Sequence, residues 1–357
     1  MPDLRVLFVV RPNREERIGG DVVMAEETAR ELRNLGCEVD IVASETPDAR
    51  GYDIAQIFGV FDPPLAASQF AACRAAGTPI ALTPIFWDNT EARARTEAVE
   101  KALTKREDTI DARLARIREK RPDELLSRKE NTLARSRVER QRALLAQCDL
   151  LLANSLIEAY RFNCDLDLQH PRVEIVHMGM SDVPPAPAGI ERNGILCVGR
   201  VESRKNQAML VYALRDLDVE IILRGEVYDD YYAALCRRWG TRVRFVDAIP
   251  RHEVYELMHR SLVHALPAWW ETPGLASLEA AKAGCAIVAG NRGTEVEYFG
   301  ADAWYCDPGN PESIRSAVVN AMEQARKGLD GALAARLNQF TWAEAAKKTL
   351  AAYARVL

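Results

Sequence analysis

Two glutamates separated by seven residues stand in the stretch ETPGLASLE, residues 271–279. Between Glu271 and Glu279 lie Gly274 and Leu275, and the residues from Leu275 onward favour a helix. The N-terminus of a helix presents unpaired backbone N–H groups and the positive end of the helix dipole, which suit a phosphate. We expect Glu271 to accept hydrogen bonds from sugar hydroxyls and Glu279 to accept them from a ribose. These features together predict a site for a nucleotide sugar.

A second group of candidate residues lies upstream in GILCVGRVESRKN, residues 194–206. An apolar, strand-like run ends there at Gly199, and Arg200 and Lys205 follow it. Cations at the carboxyl end of a strand can neutralise a diphosphate that binds at the same edge of the sheet. We therefore expect Arg200 and Lys205 to contact the diphosphate of the same ligand.

The elements that must position these residues follow a repeated pattern. Short runs rich in Val, Ile and Leu alternate with helical patterns in both halves of the chain, and this alternation predicts an α/β protein with parallel sheets. A Pro-rich stretch at 181–194 separates the halves. We predict two doubly wound Rossmann-like domains, 1–182 and 190–340, which face a central cleft where ligands bind. The last helix, 341–357, either caps the second domain or crosses back to the first.

Residues 91–148 break this alternation with Ala, Leu, Arg, Lys and Glu, the strongest helix formers. We predict a helical insertion in the N-terminal domain, a hairpin with arms of about 40 Å. The insertion has 16 basic and 11 acidic residues, a net charge of +5, against -5 for the whole chain. Three roles stay open: a solvated hairpin packed on its own domain, contact with an anionic membrane or lipid-linked acceptor, and self-association through a coiled coil.

The composition excludes several classes of protein. With 48% hydrophobic and 28% charged residues the chain is typical of folded domains, and its net charge of -5 argues against a basic nucleic-acid-binding protein. The eight cysteines are scattered singly without a C-x-x-C pair, so we expect reduced, mostly buried thiols. No leader-like segment and no run of 18 apolar residues is present, and we expect a cytoplasmic protein, with peripheral contact at the inner membrane face as an alternative.

The chain resembles the retaining glycosyltransferases of family 4, which have the GT-B fold. The matching residues are Gly19, Gly20, Gly199, Arg200, Lys205, Glu271, Gly274, Leu275, Glu279, Ala280, Gly284 and Glu295. The resemblance implies that Arg200 and Lys205 bind the donor diphosphate, Glu271 the transferred sugar and Glu279 the ribose. It also implies backbone contacts, with the diphosphate at Gly19, Gly20, Gly274 and Leu275, and with the base at Ala248 and Ile249. Glu271, Lys205 and Arg200 are the catalytic candidates.

The chain departs from the family pattern after the fourth strand of the first domain. Many relatives have a histidine there, whereas this sequence has Trp87, Asp88 and Asn89, our candidates for the acceptor site. Asp88 either orients an acceptor hydroxyl or caps the helix that follows. In this family the leaving phosphate is thought to take the acceptor's proton, so the missing histidine does not exclude activity.

We expect no metal and no cofactor, because GT-B enzymes typically work without a metal. The D-x-D triplet at residues 165–167 is short enough to arise by chance and is interpreted as a loop. The expected function is transfer of a sugar from a nucleotide diphosphate-sugar to a hydroxyl acceptor, in polysaccharide, lipopolysaccharide or glycolipid biosynthesis. The alternative is a nucleotide-binding or scaffold protein with reduced activity that uses 91–148 for assembly.

Overall fold

A computed structural model describes residues 3–15, 19–240, 242–247, 249–329 and 331–357. The strands are β1 Arg5–Val10, β2 Glu38–Ala43, β3 Ile54–Phe58, β4 Ile80–Thr83, β5 Leu150–Ala153, β6 Val173–Ile175, β7 Asn193–Val198, β8 Ile221–Arg224, β9 Val243–Val246, β10 Ser261–Leu266, β11 Ala286–Gly290 and β12 Trp304–Cys306. The helices are α1 Gly20–Asn34, α2 Pro63–Ala75, α3 Thr90–Leu103, α4 Glu107–Glu119, α5 Pro122–Leu125, α6 Arg128–Gln147, α7 Leu156–Leu166, α8 Gln207–Ala213, α9 Asp230–Trp239, α10 Arg251–Arg260, α11 Leu275–Lys282, α12 Glu295–Phe299, α13 Pro311–Lys327, α14 Ala332–Leu337 and α15 Trp342–Tyr353.

The chain divides into two compact units. The first comprises Met1–Asp88, Thr132–Ser181 and Gln339–Leu357, and the second comprises Asn89–Asn131 and Asp182–Asn338. Each unit contains one six-stranded parallel sheet, of order β2-β1-β3-β4-β5-β6 in the first and β12-β11-β10-β7-β8-β9 in the second. The predicted fold class, α/β with two doubly wound Rossmann-like units, is confirmed.

The central strands are buried on both faces, which explains their continuous apolar sequences. Every residue of β3, β4, β10 and β11 is buried. Strands covered by helices on both sides have no polar face, so they lack the alternation of half-exposed strands. In the second sheet the order reverses at β7, which lies between β8 and β10. Ligands of doubly wound sheets bind at the carboxyl edge near such a reversal, here the loops after β7 and β10.

The last helix belongs to the first unit. Helix α15 packs against α1, and its Tyr353 hydroxyl donates a hydrogen bond to the Gln56 side chain on β3. Gly179 allows the chain at the start of α15 to pass close to the end of the sheet, because a Cβ at that position would collide with the backbone of Thr341 and Trp342. Of the two sequence-based alternatives for this helix, the structure has the return to the first unit.

The helical insertion differs from the predicted two-armed hairpin in the N-terminal domain. The region 90–147 contains α3 to α6, separated by short breaks, and residues 89–131 group with the second unit. The physical reason lies in the apolar stripe: Leu103, Ile110 and Leu114 are almost wholly buried in the same core as the second sheet. A stripe predicts that one helix face is covered, but it does not specify which domain covers it.

Two further observations concern the chain as a whole. Seven of the eight cysteines are buried and Cys164 is exposed. Among the helices that the structure describes, none is long and apolar enough to cross a membrane.

Candidate functional site

The loops at the carboxyl edge of the second sheet place Lys205 beside Gly199. After β7 the chain makes a single 3-10 turn, Ser203–Lys205, and the Lys205 side chain returns toward the end of the strand. A Cβ at Gly199 would lie 3.5 Å from Lys205 Cε, in ordinary van der Waals contact, but its φ of 153° favours glycine. A Cβ at the neighbouring Gly225 would collide with the Gly199 carbonyl, so glycine there allows the two loops to approach.

Glu271 forms the centre of an ion cluster. Its Oε1 accepts hydrogen bonds from Lys205 Nζ at 2.5 Å and from Arg204 Nη1 at 2.9 Å. Arg204 also pairs with Glu202 at 3.1 Å, and its guanidinium lies 4.7 Å from the centroid of the Trp270 ring. The Glu271 and Lys205 side chains are only 9% and 12% exposed. Charges removed from water in this way persist because each is paired.

The pKa values in this cluster follow from burial and pairing. Burial alone would raise the pKa of Glu271, but Lys205 and Arg204 outweigh that effect and hold the pKa below its ordinary value. Burial lowers the pKa of the Lys205 ammonium, and Glu271 only partly opposes this. Glu271 is therefore an ionised carboxylate that any anion entering the cluster must displace from its cations.

Helix α11 begins where the sequence predicts it. Gly274 is the N-cap in the left-handed region, with φ of 79°, and Leu275 is the first helical residue. Glycine adopts this conformation without the steric cost of a side chain. The first turn of α11 thus follows directly on the loop that carries Glu271.

Glu279 lies on the second turn of α11, with a different cation. It accepts a hydrogen bond from Arg251 on α10, and Arg224 at the end of β8 is close enough to affect its ionisation. Burial raises the pKa of Glu279, and the two arginines partly counter the rise. Arg224 also donates to the Ile249 carbonyl at 3.1 Å, so Ile249 lies beside this group. Ala248, the other predicted contact of the base, is outside the described residues.

Arg200 does not contact Glu271. It pairs with Glu202 at 3.5 Å, and its guanidinium lies 5.2 Å from the centroid of the Tyr228 ring. Most of the predicted donor residues thus lie at one edge of the second sheet. They are Gly199, Arg200, Lys205, Ile249, Glu271, Gly274, Leu275 and Glu279.

Gly19 and Gly20 lie in the first unit, at the start of α1. Gly19 is the N-cap and Gly20 the first helical residue, and Asp21 in the same turn pairs with Arg11 at 2.8 Å. A Cβ on Gly19 would lie 2.5 Å from Asp21 Oδ1, so the absence of a side chain here makes room for this ion pair. The backbone around both glycines is thus close to a charged pair.

The three acceptor candidates follow β4. Trp87 is buried, and the guanidinium of Arg161 lies 3.7 Å from its ring centroid. Helix α3 begins at Thr90 with Asn89 at its N-cap position, but the Asn89 side chain makes no capping hydrogen bond. Asp88 stands one residue before this position, and both of its suggested roles stay predictions.

Sequence reasoning missed several residues of the site. Arg204 stands next to Lys205 in the printed motif, and its charge was a signal that could have been used. Arg251 carried no such signal, because it lies 28 residues before Glu279 and on another helix. Glu295, already among the residues that match the family pattern, is a second buried acid close to Glu271, and both burial and the Glu271 charge raise its pKa well above the ordinary range.

The D-x-D triplet has local roles. The triplet is not the loop that the sequence suggested, because Asp165 lies in the last turn of α7, where it pairs with Arg161 at 2.8 Å, and Asp167 ends the helix in the left-handed region, with φ of 46°. Within the part of the chain that the structure describes, no group of three or more His, Cys, Asp or Glu residues is arranged to hold a metal ion.

The two parallel-sheet units define the GT-B architecture of glycosyltransferases. The fold is similar to that of sucrose-phosphate synthase from Thermosynechococcus elongatus, with a TM-score of 0.73, 15% identity, and 99% of this chain and 98% of that chain covered. It is also similar to Anabaena HepE in complex with UDP and glucose, with a TM-score of 0.69, 14% identity, and coverage of 99% and 100%.

Sequence comparison relates part of the second unit to a known family. Residues 186–339, less than half of the chain, match the family model of glycosyl transferases group 1. D-inositol 3-phosphate glycosyltransferase of Kribbella flavida is 28% identical over 252 residues, 57% of this chain and 56% of that protein. O-antigen chain mannosyltransferase B of Escherichia coli is 26% identical over 176 residues, 44% of this chain and 45% of that protein. The chain spans about half the length of these relatives.

Proposed function

We propose that this chain is a retaining, metal-independent glycosyltransferase of family 4. It would move a sugar from a nucleotide diphosphate-sugar to a hydroxyl acceptor, with no cofactor. The observation that carries the proposal is the cluster of Lys205 and Arg204 on the buried carboxylate of Glu271, directly before the N-terminus of α11. This cluster lies within the residues that match the group 1 family model.

The cluster suits a ligand that is anionic next to a sugar. Entry of a diphosphate would draw Lys205 and Arg204 toward its oxygens, with Arg200 nearby on the same loop. Glu271 would then exchange its cations for sugar hydroxyls, which a carboxylate accepts well because its lowered pKa keeps it ionised. The binding of the sugar and of the diphosphate are coupled in this way through one carboxylate.

The same cations account for catalysis. When the bond between the sugar and the phosphate breaks, negative charge accumulates on the leaving diphosphate, and fixed cations stabilise that charge. A phosphate oxygen takes the proton of the acceptor hydroxyl while the acceptor oxygen bonds to the sugar carbon on the face that the phosphate leaves. The configuration at that carbon is retained, and no protein nucleophile is required.

Glu279 and Arg251 suit the nucleoside part of the donor. Glu279 is mostly buried on α11, and only Arg251, which is half exposed, forms its ion pair among the described residues. A carboxylate in this position can accept hydrogen bonds from both hydroxyls of a ribose. Glu271 lies in the loop before α11 and Glu279 on its second turn, so the N-terminus of the helix stands between them, as suits a ligand with hydroxyl groups at both ends and phosphates between.

The relatives suggest the biological class of the reaction. One is named as an O-antigen chain mannosyltransferase and another as a D-inositol 3-phosphate glycosyltransferase. We therefore place the acceptor among growing glycans and glycolipids of the cell surface. A lipid-linked acceptor would locate the reaction at the cytoplasmic face of a membrane.

The test uses the whole chain with a panel of UDP-, GDP-, ADP- and dTDP-sugars. Hydrolysis or transfer is measured with and without a chelator, and NMR of the first product reports the anomeric configuration. We expect activity with one base, no effect of the chelator, and a retained configuration, and we expect Glu271→Gln to abolish turnover. A wild-type chain that binds no nucleotide of the panel would instead favour the scaffold alternative. Inversion or chelator sensitivity would contradict the mechanism while leaving the reaction class intact.

A further inference from the structure

Residues 89–131 are an integral part of the second unit. The apolar face of α3 and α4 is buried in the core of this unit, and its residues Val99, Leu103, Ile110 and Leu114 are at most 4% exposed. They belong to one hydrophobic cluster with residues of β7, β8 and β10. Burying four side chains of this size stabilises the contact by several kcal/mol, at about 1.5 to 3 kcal/mol each. This face is therefore unavailable for a membrane or for a second chain.

Polar contacts hold the rim of the segment to α8 and α9. The Tyr212 hydroxyl pairs with Asp111 at 3.0 Å, and Arg215 Nε with Glu107 at 2.9 Å. The indole N–H of Trp239 donates to the Leu103 carbonyl at 3.1 Å. These contacts are spread over the segment, so its position on the second unit is well determined.

One polar contact reaches the candidate donor site. Glu100, on the α3 face that packs against the 3-10 turn, accepts a hydrogen bond from the Ser203 hydroxyl. Ser203 is the first residue of that turn and Lys205 is the last, with Arg204 between them. Glu100 thus contacts the residue that stands one position before Arg204 and two positions before Lys205, the two cations that hold Glu271.

The other contacts of this turn come from the second sheet's own loops. Asn206, buried with φ of 64°, donates to the carbonyls of Pro267 at 3.0 Å and Pro308 at 2.8 Å. The backbone N–H of Trp269 donates a hydrogen bond to the Arg204 carbonyl at 2.9 Å. These bonds anchor the C-terminal end of the turn, whereas the Glu100 bond anchors its beginning.

Besides the hydrogen bond of Glu100, an ion pair joins α3 to the same edge of the sheet. Arg292, in the loop after β11, pairs with Glu91 at 3.4 Å and with Asp307, after β12, at 3.3 Å. The segment therefore contacts the loops after β7 and β11, and Arg292 joins the second of these to the loop after β12. A support that touches several loops at once can fix their relative positions.

We infer that Glu100 is a positioning residue for donor binding, acting through Ser203 on Arg204 and Lys205. This inference rests on the proposed function. Loss of the bond would free the beginning of the turn, and the two cations would then pay an ordering cost on each binding event. The expected effect is weaker donor binding with the chemical step less affected.

The experiment compares Glu100→Ala, Ser203→Ala and the double variant with wild type. Affinities for UDP, GDP, ADP and dTDP are measured by calorimetry, kcat and KM by the transfer assay, and Tm by thermal unfolding. One hydrogen bond to a charged group corresponds to a loss of donor affinity of about 10-fold. We expect that loss in each single variant, a similar loss in the double variant, and a smaller change in kcat.

Two further variants separate positioning from docking of the segment. Glu100→Gln keeps an acceptor oxygen for the Ser203 hydroxyl and should restore most of the affinity. Glu107 lies on the same segment but away from the turn, and Glu107→Gln removes its ion pair with Arg215. This variant should lower Tm slightly without changing donor affinity.

The outcomes are distinguishable. If the wild-type chain binds a nucleotide and both Glu100→Ala and Ser203→Ala bind it with the same affinity, the inference is overturned and the proposed function stands. Equal losses in Glu107→Gln and Glu100→Ala also overturn it, because the segment would then act only through its docking. A wild-type chain that binds none of the four nucleotides overturns the proposed function and the inference with it.

Discussion

The carboxyl edges of the two six-stranded parallel sheets differ in strand order and in charge. At the second-sheet edge three cations, Arg200, Arg204 and Lys205, share two acids, Glu202 and Glu271. At the first-sheet edge the Arg11 and Asp21 side chains pair after β1 and are nearly as buried. The second edge thus has one positive charge in excess within its cluster, whereas this pair of the first edge is neutral.

This difference teaches why the topology alone does not define a site. Parallel strands bring their following loops to one edge in both units, and any ligand of either unit is expected there. An anionic ligand binds favourably at an edge where it can take over cations from carboxylates that it displaces. A neutral ion pair gives no such gain in binding free energy. We therefore expect substitutions at the second edge to affect the donor and those at the first edge to affect the acceptor.

After Glu271→Gln, the largest expected effect is that of Lys205→Met. It removes a cation from Glu271 and from the developing charge on the diphosphate, and kcat/KM should fall by about 10²- to 10³-fold. Steady-state kinetics with the donor identified by the panel checks this. The exposed Arg244, which pairs with Glu220 just before the neighbouring strand β8, gives the control Arg244→Gln, expected to be near wild type. A Lys205→Met chain that folds and keeps full activity would refute the contrast between the two edges.

Glu279→Gln should give an intermediate effect. It keeps the shape of the side chain but loses the charge that pairs with Arg251 and accepts ribose hydroxyls. We expect the donor KM to rise about 10-fold with kcat little changed, since this binding is the same in the ground and transition states. Wild type should prefer a ribose donor to its 2′-deoxyribose analogue, and this preference should be lost in Glu279→Gln. If kcat falls instead and KM stays constant, Glu279 does not bind the nucleoside.

Asp88→Asn tests the first edge. Its carboxylate follows β4, and replacing it with an amide should raise the acceptor KM by about threefold, the value of one neutral hydrogen bond. Nucleotide affinity, measured by calorimetry on the same protein, should not change. Weaker nucleotide binding in Asp88→Asn would show that the two edges do not divide the substrates as we expect.

The last prediction concerns stability, and we expect little effect on turnover. Burial and the Glu271 charge raise the pKa of Glu295 well above the ordinary range, and its Oε2 has no hydrogen-bond partner among the described residues. Its stabilising contribution is fully present below the unfolded pKa of about 4.3. Above that pH the folded chain binds more protons than the unfolded chain, and the contribution falls by about 1.4 kcal/mol per pH unit until the folded pKa is reached.

Glu295→Gln should remove this dependence. Urea unfolding of wild type and variant from pH 4.5 to 8 should show the variant gaining relative stability as the pH rises. Glu323→Gln, an exposed position on α13, is the control and should follow wild type at every pH. A constant difference between Glu295→Gln and wild type would mean that Glu295 is already ionised in the folded chain.

Much of the candidate donor site could be predicted from local sequence. Glu271, Gly274 and Glu279 lie within nine residues, where helix propensity and the need for glycine at a left-handed N-cap determine their arrangement. The partners of the two glutamates could not be predicted in the same way. Lys205 is 66 residues from Glu271 along the chain, and Arg251 is 28 residues from Glu279, so only the packing of β7, β10, α10 and α11 brings them together.

The helical segment shows the same limit on a larger scale. Its sequence correctly indicates helices with one apolar stripe, yet the predicted hairpin on the N-terminal domain is wrong. The Glu100 to Ser203 bond spans 103 residues, and no periodicity within either stretch encodes it.

The sequence by itself determined the α/β class, the start of α11, and the pairing of acidic and basic motifs expected of a nucleotide-sugar site. These depend on backbone propensity, periodicity and residue type, all of which act within a few residues. Only the tertiary structure decided that Arg204 joins Lys205 on Glu271, and that residues 89–131 cover the second unit. The reason is physical: an apolar face or a charge specifies that it needs a partner, and long-range packing selects which one.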